Sequence, residues 1–234
     1  MNGTWLREFW HYRELFFFFV WRDVKVRYKQ TLLGMSWAII QPFCTMVVFS
    51  LFFGRLAKMP SDGIPYPIFF YSALLPWTYF SNSLTHGGNS LVSNSHLITK
   101  VYFPRVCLPT SAVLGGLVDF GIASSVLLLM MVYYRISLSW ELFFWPLLII
   151  PLVMMAMAVV LVLSAMNVKY RDIRYAIPFV TQLWLFLTPV IYPSSIIPQR
   201  YQFLSVFNPV SSIIEAFRAA LLPEKFIDWS KLGL

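Results

Sequence analysis

Charged residues are scarce in this 234-residue chain, making up 12% of it, whereas hydrophobic residues make up 59%. A soluble domain has about 25% charged residues and could not cover so much apolar surface. Cysteine is also rare: Cys44 and Cys107 both lie in or beside apolar runs, which indicates reduced, packed thiols and excludes a disulfide framework. The composition predicts an all-α integral membrane protein.

The motifs of several enzyme classes are missing as well. No G-x-x-x-x-G-K-S/T phosphate loop occurs, so we do not expect the chain to hydrolyse ATP by itself. The three histidines, His11, His86 and His96, are scattered and show no HExxH or Cys/His ligand spacing, so we expect no metal site. The sequence therefore predicts neither catalytic residues nor a cofactor in this chain.

The apolar runs predict five membrane spans, at about residues 35–53, 68–84, 106–134, 140–166 and 175–192. Residues 1–33 precede them as an N-terminal segment whose uninterrupted apolar stretch is only about a third of the ~20 residues that a span requires. Aromatic and basic residues alternate in this segment, which is typical of an amphipathic helix lying at the membrane interface. We therefore divide the chain into this interfacial segment and a transmembrane domain at 34–234.

The net charge of +8 is explained by membrane orientation and not by nucleic-acid binding, because the basic residues cluster at the ends of apolar runs. In the short loops, nine cations fall on one side and three on the other. The nine are Arg22, Lys25, Arg27, Lys29, Lys100, Arg105, Lys169, Arg171 and Arg174, and the three are Arg55, Lys58 and Arg135. This bias predicts a cytoplasmic N-terminus.

A polar stretch at residues 89–105 separates the second and third spans. Within it Asn94, Leu97, Ile98 and Val101 fall at helical spacing, and Lys100 stands where a helix C-terminus favours a cation. Pro104 then ends the helix. We expect a short helix outside the membrane, at about residues 90–103, that offers a docking surface.

Asp119 is the one carboxylate well inside an apolar run, close to Gly115 and Gly116. An acid at this depth is either a proton relay or a structural contact at a helix interface where the glycines permit close approach. We favour the structural contact, because no second buried acid or base stands nearby in the sequence.

Prolines divide the tail into pieces too short to span the membrane, and we expect two half-helices dipping into the outer face at about residues 194–222. Asn208 and Pro209 predict the start of a helix of about a dozen residues. Glu215 and Arg218 are three apart on it and can face each other, either as a paired charge or as an outer gate that contacts substrate.

Aromatic residues make up 18% of the chain. Most should be anchors at the membrane interface, but a minority could line a path for sugars, whose apolar faces stack on aromatic rings. The candidates are Tyr71, Trp77, Tyr79 and Trp184.

Several of these stretches resemble one family. Residues 20–42, VWRDVKVRYKQTLLGMSWAIIQP, are similar to the beginning of the first span in the membrane subunits of bacterial polysaccharide ABC exporters. The stretches FGRLA at 53–57, ALLPW at 73–77 and LITKVYFPR at 97–105 agree, as do the patch at 167–174 and Asn208–Pro209. The resemblance covers nearly the whole chain and is closest to the O-antigen exporters.

The resemblance implies a homodimeric permease with two separate ATPase subunits that bind ATP and Mg²⁺, exporting a lipid-linked polysaccharide across the inner membrane. The helix at 90–103 would couple to the ATPase, the N-terminal helix would lie at the cytoplasmic entrance, and the half-helices would shape the exit. The coupling residues would be Asn94, Leu97, Ile98, Lys100, Val101 and Tyr102. Such permeases resemble six-span proteins, so we expect either that this chain is truncated after Leu234 or that it has lost the sixth span, and we favour truncation because a lost helix would open one side of each protomer to lipid.

We also expect Arg22, Lys25, Arg27 and Lys29 to attract the pyrophosphate of a polyprenyl-linked glycan, although they could serve only to enforce orientation. Capsule and teichoic acid exporters share the general pattern. Two other classes remain alternatives: a proton-coupled secondary transporter that uses Asp119, and a membrane-embedded glycan-modifying enzyme, for which no catalytic pair is evident.

Overall fold

A computed structural model describes residues 12–29, 34–136, 140–198, 200 and 208–221, and this part of the chain consists of helices and turns without a strand. It contains eight α-helices. They are α1 (Arg13–Lys29), α2 (Trp37–Phe49), α3 (Tyr66–Ser93), α4 (Ser95–Lys100), α5 (Cys107–Tyr133), α6 (Trp145–Lys169), α7 (Ile173–Leu187) and α8 (Pro209–Ala219). Short 3₁₀ turns at Gly34–Ser36 and Trp140–Phe144 lead into α2 and α6, and a π-helical segment, Ser50–Leu56, continues α2.

Three helical segments are long and apolar enough to cross a membrane: Gly34–Leu56, Cys107–Tyr133 and Trp140–Lys169, with 23, 27 and 30 residues. A span requires about 20 residues, because the hydrocarbon core is roughly 30 Å thick and a helix rises 1.5 Å per residue. These segments coincide with the first, third and fourth predicted spans. The all-helical membrane class predicted from the composition is thereby confirmed.

Helix α3 is the centre of the bundle. It is 28 residues long and packs against α2, α5, α6, α7 and α8. Its first half is buried on almost every side, including Ile68, Phe69, Phe70 and Tyr71. Its second half carries serine, threonine and asparagine side chains, and the more apolar helices around it shelter this polar helix from lipid.

Two adjacent glycines allow α3 to approach its neighbours closely. A Cβ atom added at Gly87 would lie 2.5 Å from Cγ1 of Val160 on α6, and one added at Gly88 would lie 2.6 Å from Cδ1 of Ile177 on α7. At the same level Nδ2 of Asn167 donates hydrogen bonds to the Gly88 carbonyl at 2.9 Å and to Oδ1 of Asn89 at 3.0 Å. Small residues combined with an interhelical amide bond are a usual way of joining helices within a membrane.

The polar stretch at residues 89–105 differs from the prediction in where its helices begin and end. Helix α3 does not stop near Leu84 but continues to Ser93, and α4 is only six residues long, shorter than the predicted 90–103. The break falls at Asn94, whose backbone N–H and side-chain Nδ2 both donate to the Ser90 carbonyl. An asparagine that bonds the preceding turn in this way competes with helix continuation.

The fifth predicted span is also shorter in the structure, because α7 ends at Leu187 and not at Tyr192. Thr188 is extended, with φ −104° and ψ 137°, as expected for a residue that precedes a proline. Its hydroxyl donates to the Trp184 carbonyl at 2.8 Å, which satisfies one acceptor at the broken helix end.

The predicted helix at Asn208–Pro209 is present as α8, with 11 residues. Asn208 occupies the N-cap position but makes no side-chain cap bond. Its Oδ1 accepts from Nε1 of Trp184 at 3.0 Å, and its Nδ2 donates to the Thr188 hydroxyl at 3.0 Å. The asparagine therefore ties α8 to the end of α7. A 3₁₀ turn, Ser194–Ile196, begins the other predicted half-helix, most of which lies outside the described residues, as do residues 1–11 and 30–33.

Replacing Gly87 with valine should force α3 and α6 apart. We expect the free energy of unfolding to fall by about 1–3 kcal/mol, the usual cost of overpacking, measured by thermal unfolding in detergent. Gly121→Val is the matched control, since an added Cβ there meets no atom within 4 Å. Equal stability of the two variants would contradict the close helix contact.

Candidate functional site

Helix α1 lies across α5 and is held there by charged side chains. Arg27 on α1 forms an ion pair with Asp119 on α5. The Ser111 hydroxyl on α5 donates to Oδ2 of Asp23 at 3.1 Å, and Arg22 pairs with the same carboxylate at 2.8 Å. Asp119 therefore has a basic partner 92 residues away in the chain. The structural-contact interpretation of Asp119 gains a specific partner that the local sequence does not reveal.

A small apolar cluster joins α1 to the segment around α4. Phe19 is 2% exposed and packs with the buried Phe103, Cys107 and Leu108, its ring centroid 5.2 Å from that of Phe103. Leu97 and Ile98 of α4 are partly buried against this cluster. The N-terminal helix and the predicted coupling helix thus share one apolar core, which we call the Phe19 cluster.

The opposite side of α1 presents aromatic side chains outward. Phe17 is 71% exposed, and Phe18 and Trp21 are also exposed. Lys25 lies on this outward side and Lys29 is exposed next to it. Exposed aromatic residues beside lysines suit a helix at the membrane interface.

The four cations predicted to attract substrate therefore fall into two pairs. Arg22 and Arg27 are half-buried and each is paired with an aspartate. Lys25 and Lys29 are exposed, and neither forms an ion pair within the described ranges. Only the two lysines present an uncompensated positive charge at the surface of α1.

Two cavities flank the ion pair, and together we call them the crevice. One has a volume of about 310 Å³ and lies between α1, α2, α3 and α5. The other, of about 560 Å³, lies between α1, α3 and the start of α5. Arg27 and His86 line both cavities. Polar side chains of α3 line the crevice along its length, at helical spacing: Thr78, Asn82, Thr85, Asn89 and Ser93.

Polar residues on a helix in a membrane usually face protein or a water-filled cavity. The polar stripe on α3 therefore marks the crevice as a water-accessible space beneath α1. Sequence reasoning missed it because Asn82 and His86 stand among other small and polar residues, which were interpreted as the end of the second span and the start of a loop. Their spacing of four residues is the pattern that could have indicated a common face.

The predicted coupling residues occupy different environments. Leu97 and Ile98 contact the Phe19 cluster, and Asn94 caps the junction of α3 and α4. Lys100, Val101 and Tyr102 are exposed, Tyr102 to 89%. Ser95, His96 and Thr99 of α4 are exposed as well, whereas Leu97 and Ile98 are the less exposed side chains of this helix.

The four aromatic residues considered for a sugar path make contacts inside this chain. The Tyr71 and Tyr79 hydroxyls donate to the carbonyls of Ala123 and Val113 on α5, at 3.2 and 3.1 Å. Trp77 is buried, and Trp184 bonds Asn208 and packs edge-on against Phe80. These placements give each ring a packing role between helices, and among them Tyr79 also borders the crevice.

Arg218, interpreted either as the charge partner of Glu215 or as part of an outer gate, makes its direct contacts with other groups. Arg218 is 4% exposed, donates to the carbonyls of Pro189 and Val190 at 3.0 and 3.1 Å, and lies over the Phe69 ring at 3.8 Å. No ion pair joins it to Glu215 in the described part of the chain. The reason is that the turn after α7 carries the carbonyl oxygens of Pro189 and Val190, and the guanidinium, which has only donors, bonds both.

Within the described residues no three histidine, cysteine, aspartate or glutamate side chains are grouped so as to hold a metal ion.

The apolar spans and the sheltered polar helix define an integral membrane protein. Residues 14–222 match the ABC-2 type transporter model, and the chain belongs to this membrane family. The match begins in α1 and ends just beyond α8, so it covers the described fold.

Curated relatives are similar over most of their length. The O-antigen export system permease protein RfbA of Myxococcus xanthus is 30% identical over 226 residues, covering 95% of this chain and 86% of that protein. A protein of the same name from Klebsiella pneumoniae is 30% identical over 201 residues, covering 84% and 76%. The polysialic acid transport protein KpsM of Escherichia coli is 23% identical over 209 residues, covering 86% and 79%.

Truncating Arg27 to alanine should destabilise the protein, because it leaves the Asp119 carboxylate without its partner. We expect a loss of about 1–3 kcal/mol, below the value for a fully buried pair because about a quarter of each side chain is exposed. The exchange variant Arg27→Asp with Asp119→Arg should recover most of this loss in thermal unfolding. The control is Lys25→Ala, and equal stability of Arg27→Ala and Lys25→Ala would show that the ion pair contributes nothing.

Proposed function

We propose that this chain is the permease subunit of an ABC exporter that carries a lipid-linked polysaccharide of the O-antigen type across the bacterial inner membrane. The observation that carries the proposal is the 30% identity to an O-antigen export permease over 95% of this chain. A capsule exporter is the second candidate, favoured by the 23% identity to the polysialic acid transport protein. In either case the chain transports and does not catalyse.

The free energy for export enters through a separate ATPase subunit that binds ATP and Mg²⁺, because the chain has no phosphate loop of its own. Two copies of the chain and two ATPase subunits form the complex, since five or six helices are too few to enclose a path for a hydrated polymer. The path then runs between the two protomers.

In this proposal the N-terminus is cytoplasmic and five spans cross the membrane, counting α3 and α7 with the three apolar segments. Helix α1 lies at the cytoplasmic interface with its exposed Phe17, Phe18 and Trp21 in contact with lipid. The segment around α8 forms a half-helix at the outer face. Arg218 serves there to hold the end of α7, which is a structural role and not that of a gate.

The ATPase docks on the exposed end of α4, at Lys100, Val101 and Tyr102. Tyrosine is enriched among the residues that dominate binding energy at protein interfaces, and Tyr102 is 89% exposed beside α4, in a stretch that is predicted to lie outside the membrane. The pyrophosphate of the lipid carrier is attracted by Lys25 and Lys29, because Arg22 and Arg27 are already neutralised. The Arg27 ion pair also supports the interhelical role of Asp119 over the proton relay.

A strain that lacks this chain should accumulate lipid-linked polysaccharide in the cytoplasm, and the intact chain should restore it to the cell surface. Tyr102→Ala should fail to restore it, because losing such a contact costs about 2 kcal/mol, a roughly 30-fold loss of affinity for the ATPase. Surface polysaccharide and co-purification of the ATPase are the two measurements.

The matched control is Tyr133→Ala, an exposed tyrosine at the opposite end of α5 from the α4 side. Unchanged surface polysaccharide in the strain without the chain would refute the proposed function. Normal ATPase binding by Tyr102→Ala would refute only the docking site.

Replacing both Lys25 and Lys29 with glutamine should reduce export. Each juxtamembrane lysine attracts an anionic head group by about 1 kcal/mol, so the pair accounts for a roughly 30-fold change in local affinity. Initial export rates in inverted membrane vesicles measure the effect, while topology reporters confirm that orientation is unchanged. Arginine at both positions keeps the charge and should export normally. If the glutamine variant also exports normally, the lysines serve only to orient the chain.

A further inference from the structure

Helix α1 is attached to the rest of the protein at two places that differ in chemistry. In its N-terminal half, Phe19 is buried in the Phe19 cluster with Phe103, Cys107 and Leu108. In its C-terminal half, which begins one turn further on, Asp23 and Arg27 make polar contacts with Ser111 and Asp119 on α5. The first attachment is apolar and closed to water, whereas the second is polar and borders the crevice.

We propose that α1 is a strap with one permanent and one releasable end, which opens and closes the crevice as the ATPase moves α4; this inference rests on the proposed function. The Phe19 cluster is the permanent end, and the contacts of Asp23 and Arg27 with α5 are the releasable end.

The Phe19 cluster is the permanent end because its side chains are buried. Phe19, Phe103, Cys107 and Leu108 are all at most 5% exposed, and Leu97 and Ile98 of α4 pack on them. Separating these side chains would expose apolar surface to water, which opposes any movement of α1 away from α4. A displacement of α4 is therefore transmitted to α1 through Phe19.

The contacts of Asp23 and Arg27 with α5 are the releasable end because water can reach the charged groups there. The Arg27 and Asp119 side chains are 26% and 24% exposed, and Arg27 lines both cavities, of about 310 and 560 Å³, whereas Asp119 lines the smaller one. Water in these cavities can replace the lost partner of each charge, so opening costs less there than at a fully buried pair. Asn82 and His86 are already exposed beside α1, and lifting this end of α1 joins the two cavities, which share Arg27 and His86, into one wider opening along the polar stripe of α3.

The structure also provides a position at which the releasable end can be locked. A Cβ atom added at Gly115 on α5 would lie 3.9 Å from Cβ of Asp23. Disulfides have Cβ separations of about 3.5–4.5 Å, so cysteines at these two positions match the required distance. The exposed Cys44 is replaced with alanine, whereas Cys107 is kept because it is buried in the Phe19 cluster.

The experiment uses Asp23→Cys with Gly115→Cys in the full chain with its ATPase, in inverted vesicles from cells that make their own lipid-linked polysaccharide. Oxidation with copper phenanthroline should lower the initial export rate at least tenfold, and dithiothreitol should restore it. Each single-cysteine variant is a control and should be unaffected by oxidation. The strap also predicts a lower crosslinking yield while ATP is being hydrolysed than without nucleotide.

Three results would overturn the strap. One is full crosslinking with unchanged export, and another is a pair of cysteines that do not crosslink at all, since α1 would then not be seated on α5. The third is a crosslinking yield that is the same with and without ATP. If wild-type vesicles export no polysaccharide, the proposed function fails, and the strap is then judged by the crosslinking yield alone.

Discussion

The fold depends on keeping a polar helix out of contact with lipid. Helix α3 stands at the centre of the bundle and carries serine, threonine and asparagine residues in its second half. Hydrocarbon offers these polar groups no hydrogen-bond partner. Five other helices pack around it, and Gly87 and Gly88 let two of them approach to contact distance. On the side that these helices leave open, the polar residues face the crevice, which α1 covers. The same helix therefore organises both the packing of the bundle and its water-accessible space.

The end of α7 and its link to α8 show the same constraint, which is that polar groups within a membrane need hydrogen-bond partners. Helix α7 stops at Leu187, and its unpaired carbonyls would be costly at membrane depth. The Thr188 hydroxyl satisfies one of these acceptors, and Arg218 donates to the carbonyls of Pro189 and Val190 just beyond the helix. Asn208 adds a link between α7 and α8. Charged and amide side chains here provide the hydrogen-bond partners that the interrupted backbone lacks.

Much of this architecture is predictable from the sequence, because apolar runs and prolines act locally. The spans around α2, α5 and α6 and the start of α8 at Pro209 follow from such patterns. The length of α3 does not, since the polar residues after Leu84 resemble a loop unless the helices that shelter them are known. The partner of Asp119 and the target of Arg218 are also unpredictable, because contacts between distant residues leave no periodic pattern. The sequence therefore predicts individual residues of the candidate site, such as Arg27 and Asp119, but does not predict that they contact each other.

The distance in sequence between Arg27 and Asp119 has a consequence for synthesis of the protein. Ninety-two residues separate them, and a ribosome adds about 5–20 residues per second. Roughly 5–20 s therefore pass between the synthesis of Arg27 on α1 and that of Asp119 on α5. During this time the arginine has no carboxylate to pair with, and Phe19 lacks the residues that later bury it. In the proposed interfacial location of α1, the exposed Phe17, Phe18 and Trp21 contact the bilayer surface during this time, before the partners of α1 have been made.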